Sequence, residues 1–251
     1  MILLFVFLIG AIAGSFLNVC IYRLPRHESI VFPASHCPHC GEPIKFYDNI
    51  PLVSYVILRG KCRNCKQNIS GRYPIIETIS GLLAIAIVIK YGLTLHSLLL
   101  LLLVFSLIIV TFVDLDFQII PDILSIPGII AGIGASFFIP TISWIDSILG
   151  ILAGGGFLFI IAVTYKWLTN RDGMGGGDIK LLAMVGAWLG WKAVPFILLI
   201  SSFIGALIGS ISLLLAKKSL RYKIPFGPFI SIAAVIYLFF GPEIINWYIN
   251  L

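Results

Sequence analysis

Two groups of aspartates border apolar segments of the chain, and their spacing is suited to proton-transfer chemistry. Asp114 and Asp116 lie near the end of one apolar run, and the glycine-rich turn 175–177 delivers Asp178 to the start of another. Carboxylates that converge in a low-dielectric site share one proton, so one can activate a water while the other polarises a carbonyl. We therefore predict that Asp178 pairs with Asp114 or Asp116 for hydrolysis; spacing alone leaves that choice open.

The same residues also have structural interpretations. An aspartate at a helix start is commonly an N-cap, and this role competes with catalysis for Asp178 and is favoured for Asp122, which follows Pro121. We interpret Asp172 as a solvated loop charge and expect Lys180 to extend to the membrane interface. Glycines at 175–177 would let an extended substrate backbone approach Asp178 closely.

Four of the five cysteines form two C-x-x-C motifs separated by 21 residues. This spacing predicts a tetrahedral zinc site with four thiolate ligands, which would be structural because no position remains for a reactive water. Free thiols and a redox pair remain alternatives, as does His36 or His39 in place of one thiolate. Cys20 is expected to be a small buried apolar residue. The predicted ligands are Cys37, Cys40, Cys62 and Cys65.

The composition indicates that the aspartates and cysteines belong to a membrane protein. The chain has 251 residues, of which 59% are hydrophobic and 11% charged, too few polar residues to cover a soluble globule. The formal net charge is +6, and lysines and arginines concentrate in residues 21–75 and 217–223. The positive-inside rule places both segments on the cytoplasmic side, and no nucleic-acid binding is expected.

Eight apolar runs predict an all-α, polytopic membrane helical bundle of about eight spans with a small cytoplasmic zinc-binding insertion. Arg23 and Arg26 follow the first run, which argues against a cleaved signal peptide and places the N-terminus outside. The predicted domains are a first transmembrane helix at 1–20, a four-cysteine domain at 21–75 and a core at 76–251. Alternation of sides brings all five aspartates at 114–122 and 172–178 to the cytoplasmic face. The apolar runs are 1–20, 76–90, 94–113, 123–140, 144–168, 179–190, 194–216 and 225–249.

Pairs of small residues spaced four apart predict that some of these helices pack closely. The pairs are Gly10/Gly14, Gly128/Gly132 and Gly205/Gly209.

Several motifs, in order, resemble the bacterial prepilin peptidases, or type IV leader peptidases, of the GxGD aspartyl protease group. The resemblance covers nearly the whole chain. It rests on residues 14–25 (GSFLNVCIYRLP), 49–55 (NIPLVSY), both cysteine motifs, 72–74 (RYP), 114–122, 175–180 and 225–228 (PFGP).

The resemblance implies an enzyme of the bacterial inner membrane that acts on prepilins or pseudopilins of pilus, competence or secretion systems. It would cut their short basic leader after a glycine at the cytoplasmic face, and would N-methylate the new N-terminus with S-adenosylmethionine. In that family the first catalytic aspartate lies seven residues before the Pro of the I-P-D element, which selects Asp114; the second closes the GxGD motif at Asp178. Residues that bind the methyl donor stay unassigned. The rival hypotheses are a proton- or ion-coupled transporter, in which paired carboxylates serve alternating access, and a zinc-stabilised scaffold without catalysis.

Overall fold

The structure is a computed structural model that describes residues 1–170, 175–216 and 224–249. Within these ranges the protein is helical, and its extended pairing is limited to two isolated bridges, His36–Pro43 and Lys61–Asn68. The basic segment 217–223 and Asp172 lie outside the described residues. The helices are α1 (Ile2–Arg23), α2 (Val53–Ile57), α3 (Arg72–Tyr91), α4 (Leu95–Phe117), α5 (Asp122–Ala135), α6 (Trp144–Ile151), α7 (Phe157–Thr169), α8 (Gly176–Leu189), α9 (Ala193–Ala216) and α10 (Gly227–Ile249), with a π-helical segment at Leu152–Gly156 joining α6 to α7.

The fold class predicted from the sequence is confirmed. Five described helical segments are long and apolar enough to cross a membrane: Ile2–Arg26, Arg72–Tyr91, Leu95–Phe117, Trp144–Thr169 and Ala193–Ile211. Helices α5, α8 and α10 occupy the other three predicted runs, and the count of about eight spans stays a prediction. The protein is therefore a multi-pass membrane protein. Its α1 extends to Arg23 and α3 already begins at Arg72, so both helices reach further into the polar segment than the apolar pattern indicated.

The chain forms two compact units, Met1–Ile109 and Val110–Leu251, divided within α4. The predicted domain boundaries at 20 and 75 follow composition and stay a prediction.

In the first unit, α1 packs closely along α3 because glycines of α1 face small groups of α3. A Cβ atom at Gly10 would lie 2.8 Å from the Ala84 side chain, and one at Gly14 would lie 2.8 Å from the Glu77 Cα. The close approach predicted for the Gly10/Gly14 pair is thus confirmed. Between these helices, residues 24–71 form the insertion, which contains α2 and the 3₁₀ turns Leu24–Arg26 and Phe46–Asn49.

In the second unit, α8 is the central helix. Every residue from Leu181 to Leu189 is buried, as expected for a helix that is apolar on all sides. It packs against α5 and α6, where glycines permit backbone contact. A Cβ at Gly132 would lie 2.7 Å from the Ala187 side chain, and one at Gly154, in the π-helical segment, 2.6 Å from the Leu182 carbonyl oxygen.

These contacts explain why the short sixth apolar run is stable as a helix. Packing on all sides stabilises α8. A hydrogen bond from the Trp188 indole to the Gly128 carbonyl oxygen, at 2.8 Å, adds to this. The third predicted small-residue pair is confirmed as well, since Gly205 faces the Phe229 ring of α10.

Candidate active site and metal centre

Asp114 is a buried carboxylate near the C-terminal end of α4, with only 5% of its surface exposed. One of its oxygens, Oδ2, accepts a hydrogen bond from the backbone N–H of Gly227 at 2.8 Å. Gly227 is the first residue of α10, whose N–H has no partner within its own helix and lies at the positive end of the helix dipole. The start of α10 therefore forms a built-in donor site for the Asp114 carboxylate.

Glycine is required at position 227 by the geometry of this contact. A Cβ there would lie 2.7 Å from Asp114 Oδ2, closer than side chains normally approach. In the sequence, Gly227 belongs to the Pro-Phe-Gly-Pro motif at 225–228, which carries part of the family resemblance. Its role as a hydrogen-bond donor to a residue 113 positions away was missed, because no local pattern connects the two.

Asp178 lies in the first turn of α8 and is half-buried. The N-cap position of this helix belongs to Gly175, and no side chain forms a capping hydrogen bond there, so the capping interpretation of Asp178 is wrong. The carboxylates of Asp178 and Asp114 are close enough to interact electrostatically. The structure thus brings together the two aspartates that the sequence singled out.

Gly177 helps to position this pair. A Cβ at Gly177 would lie 3.0 Å from the Cβ of Ile120, so the absence of a side chain lets the first turn of α8 pack on the connection between α4 and α5. That connection begins four residues after Asp114. The glycine-rich turn therefore brings two backbone segments together, in addition to any access it gives a substrate.

Asp116 is exposed, in contrast to the buried Asp114. The difference follows from helical geometry, because two residues separated by two positions point to nearly opposite sides of a helix. The structure thereby separates the two aspartates that spacing alone could not distinguish.

Asp122 and Lys180 form an ion pair that the sequence analysis did not anticipate. The Lys180 ammonium donates to both oxygens of the Asp122 carboxylate, at 2.7 and 2.8 Å. Asp122 does not cap α5, whose N-cap is Pro121 without a side-chain hydrogen bond, so the capping prediction for Asp122 is wrong. The pair links the start of α8 to the start of α5, and the extension of Lys180 to the membrane interface stays a prediction.

The four cysteines of the insertion form one cluster. The sulfur atoms of Cys37, Cys40, Cys62 and Cys65 all lie within 4.8 Å of one another, and each is a free thiol. Such a group can hold a metal ion. Neither His36 nor His39 belongs to the cluster, and Cys20 is buried in α1, as expected.

Two similar turns present these thiols. In the first, the Cys37 N–H donates to the Glu42 carbonyl oxygen at 2.9 Å; in the second, the Cys62 N–H donates to the Gln67 carbonyl oxygen at 2.8 Å. Both turns use positive φ angles, at Gly41 and Lys66. Backbone N–H groups of Cys65 and Asn64 directed at the Cys62 sulfur lower the pKa of that thiol to about 7, whereas at Cys65 the lowering by the Gln67 backbone N–H is outweighed by burial and the neighbouring thiols, which raise the pKa of Cys65 to about 11. Within the cluster the thiolate form is therefore favoured at Cys62.

The first unit also contains a cavity of about 550 Å³, lined by the end of α1, the insertion and the start of α3. Its wall includes Glu77, which the sequence analysis did not consider because a single glutamate in an apolar run carries no motif. Only 7% of Glu77 is exposed, and its Oε2 atom accepts the Leu52 N–H at 2.8 Å. The volume is within the range of about 300–1,000 Å³ that is usual for small-molecule sites.

Comparison with known protein families finds a match in each of the two units. Residues 8–91 match the bacterial peptidase A24 N-terminal domain, and residues 101–210 match the type IV leader peptidase family. No solved structure matches the chain.

Curated proteins named prepilin leader peptidase/N-methyltransferase are similar over nearly the whole length. The Aeromonas hydrophila protein is 39% identical, with 98% of this chain and 93% of that protein aligned. The Pseudomonas putida protein is 38% identical over 94% of this chain and 90% of its own length, and the Legionella pneumophila protein 39% identical over 94% and 91%. The chain belongs to the type IV leader peptidase family.

Proposed function

We propose that the protein is a membrane aspartic endopeptidase that removes the leader peptide of prepilins or pseudopilins and then N-methylates the new N-terminus. The observation that carries the proteolytic part is the placement of Asp114 near the end of α4 and of Asp178 in the first turn of α8, which packs through Gly177 on Ile120 of the α4–α5 connection. The names of the full-length relatives, which pair a leader peptidase with an N-methyltransferase, support both activities.

The surroundings of the two carboxylates suggest their roles. The Gly227 N–H and the start of α10 stabilise negative charge on Asp114. No described group donates a hydrogen bond to Asp178, which faces the charge of Asp114 in a half-buried position. We therefore assign the shared proton to Asp178 and the charge to Asp114.

These roles define a hydrolysis without a covalent intermediate. Asp114 takes a proton from a water molecule, and the oxygen of that water attacks the scissile carbonyl while Asp178 donates its proton to the carbonyl oxygen. As the tetrahedral intermediate collapses, the peptide C–N bond breaks and the proton held by Asp114 passes to the leaving nitrogen. The hydroxyl proton of the intermediate returns to Asp178, which restores the starting state.

The basic residues of 21–75 support an orientation in which this site faces the cytoplasm of a bacterial inner membrane. A substrate with a basic leader and an apolar segment would then place its leader inside and its apolar helix in the bilayer. The cleavage point would lie near the ends of α4 and α8.

We also propose that the cysteine cluster holds one structural zinc ion. The four sulfur atoms are gathered as a tetrahedral site requires, and two matching turns present them. Zinc bound by four protein ligands would stabilise the insertion, which has few apolar residues of its own, and would leave no open position for a reactive water.

The transporter hypothesis has no support from the relatives, which are named as peptidases and methyltransferases. A scaffold without catalysis is disfavoured by the site itself, because neither Asp178 nor Asp122 serves as a cap.

Cleavage of a prepilin-like peptide by the reconstituted protein tests the proteolytic function. Asp114→Asn and Asp178→Asn should each lower kcat by about 10²–10⁴-fold, the usual contribution of an acid or base. Asp116→Asn is the matched control and should cleave at the wild-type rate, because that side chain is exposed. Normal cleavage by the first two variants would reject the proposed dyad.

A further inference from the structure

The proposed N-methyltransferase function requires a site for the methyl donor, and the cavity of the first unit has the properties of one. Every residue in its wall lies between Ser15 and Glu77, within the first unit. Its volume of about 550 Å³ suits a nucleoside-sized molecule.

Three carboxylates line the cavity, those of Glu42, Asp48 and Glu77, and of these Glu77 is the buried one. Asp48 is paired with the Arg63 guanidinium at 2.6 and 2.8 Å, and the buried Arg23 donates to the carbonyl oxygens of Ser29 and Pro33. Glu77 differs from Asp48 in having no ionic partner in the described part of the wall. Within the described residues its partners are the Leu52 N–H and the Ser15 hydroxyl, both neutral.

A buried ionised carboxylate without a cation is unfavourable, so it either takes up a proton or pairs with a positive charge that another group supplies. Glu77 is 93% buried, and the backbone that contacts it is itself unusual, since Leu52 adopts a φ of 61°, rare for a residue other than glycine. Unusual backbone held in place beside an uncompensated charge is typical of a ligand site.

The remaining wall suits an organic cation. The Tyr55 and Tyr73 side chains line the cavity with aromatic rings, whose faces attract cationic groups of ligands. S-adenosylmethionine combines a planar adenine with a sulfonium that bears one positive charge.

We propose that this cavity binds S-adenosylmethionine and that the Glu77 carboxylate is the counter-charge for its sulfonium. The inference rests on the proposed N-methyltransferase function. It assigns Glu77 to donor binding, and it assigns no proton transfer to this residue.

The test compares two ligands that differ in the sulfonium charge. S-adenosylmethionine carries it, whereas S-adenosylhomocysteine has a neutral thioether at the same place. Dissociation constants of both are measured by calorimetry on the full-length protein in detergent, without substrate. Wild type should bind the charged ligand more tightly, and Glu77→Gln should weaken that binding by about tenfold with little effect on the neutral ligand.

Two further variants separate binding from folding. Val19→Phe narrows the cavity without removing any Glu77 contact and should weaken both ligands, whereas Val31→Phe, at an exposed position outside the cavity wall, should weaken neither. Glu28→Gln, at an exposed glutamate, is the matched charge control.

Equal binding of S-adenosylmethionine by wild type, Glu77→Gln and Val19→Phe would overturn the inference. Equal weakening of both ligands by Glu77→Gln would overturn the sulfonium assignment. Methylation of a cleaved substrate by wild type, followed through the mass of its N-terminus, is scored separately. If wild type methylates while the cavity variants bind normally, the site assignment fails and the proposed function stands; if wild type neither binds the donor nor methylates, the proposed function itself fails.

Discussion

Replacing Gly227 by alanine should disable proteolysis through a single added methyl group. The new Cβ would lie 2.7 Å from Asp114 Oδ2, at a distance that real Cβ contacts essentially never show. Either the carboxylate or the start of α10 must move, and the 2.8 Å hydrogen bond from the Gly227 N–H is lost or lengthened.

The size of the effect follows from displacement of the Asp114 carboxylate. The hydrogen bond itself stabilises the charged form of Asp114, which is consumed as the carboxylate takes a proton, so its loss does not set the decrease in kcat/KM. Displacement of a reacting group by about 1 Å alone costs up to about 100-fold. We therefore expect Gly227→Ala to retain about 1–10% of wild-type kcat/KM.

The assay is cleavage of a prepilin-like peptide by the purified protein, with the thermal unfolding temperature measured in parallel. Gly134→Ala is the matched control, because a Cβ at that exposed glycine of α5 would meet no atom within 4 Å. A Gly227→Ala protein that cleaves at the wild-type rate would refute the assignment of the α10 start as the donor site for Asp114.

Three other predictions address the insertion and the helix packing. Cys62→Ser should abolish the binding of about one zinc ion per chain, measured by elemental analysis of protein purified without chelator; undiminished zinc would exclude this thiol as a ligand. The Arg63 side chain hydrogen-bonded to Asp48 holds the pKa of that carboxyl below its usual range, so the pair stabilises the insertion above about pH 4 and this contribution disappears as the pH falls through the lowered pKa. An NMR titration in which Arg63→Ala leaves the pKa of Asp48 unchanged would contradict that cause. Gly154→Ala should lower the free energy of unfolding by about 1–3 kcal/mol, since its Cβ would lie 2.6 Å from a carbonyl oxygen, whereas Gly156→Ala, which meets no atom within 4 Å, should not; equal unfolding temperatures would count against the packing argument.

Much of the architecture was predictable because it depends on composition over long windows. All eight apolar runs contain helices, and five of the helical segments are long and apolar enough to cross a membrane. The cysteine cluster was predictable for a similar reason, because the two C-x-x-C motifs fix the local turns that present the thiols.

The details of the site depend on contacts between distant residues, and there the sequence was insufficient. Spacing could not choose between Asp114 and Asp116, because α4 is apolar on both sides and does not show which side faces its neighbours. Asp122 was interpreted as a cap because a local rule favours that role, yet a lysine 58 positions away binds its carboxylate.

Glu77 illustrates the same limit in the first unit. Its neighbours in sequence are apolar, and its importance arises from a cavity formed by the insertion folding back on α1 and α3. A single acidic residue in such a run forms no motif with another polar residue, so the sequence pattern does not indicate a role for it. Only its burial and its neutral partners distinguish it from an ordinary interfacial glutamate.

The burial of α8 has a consequence for the design of inhibitors. Its residues from Leu181 onward are enclosed by protein, while Gly175 and Gly176 are exposed and residues 177–180 are half-buried. A small molecule can therefore reach only about one turn of this helix. The remainder of α8 offers no accessible surface. Such a compound would therefore gain selectivity from groups that bind Lys180 or Asp122 in place of their ion pair, or from groups that contact the backbone of Gly175 and Gly176.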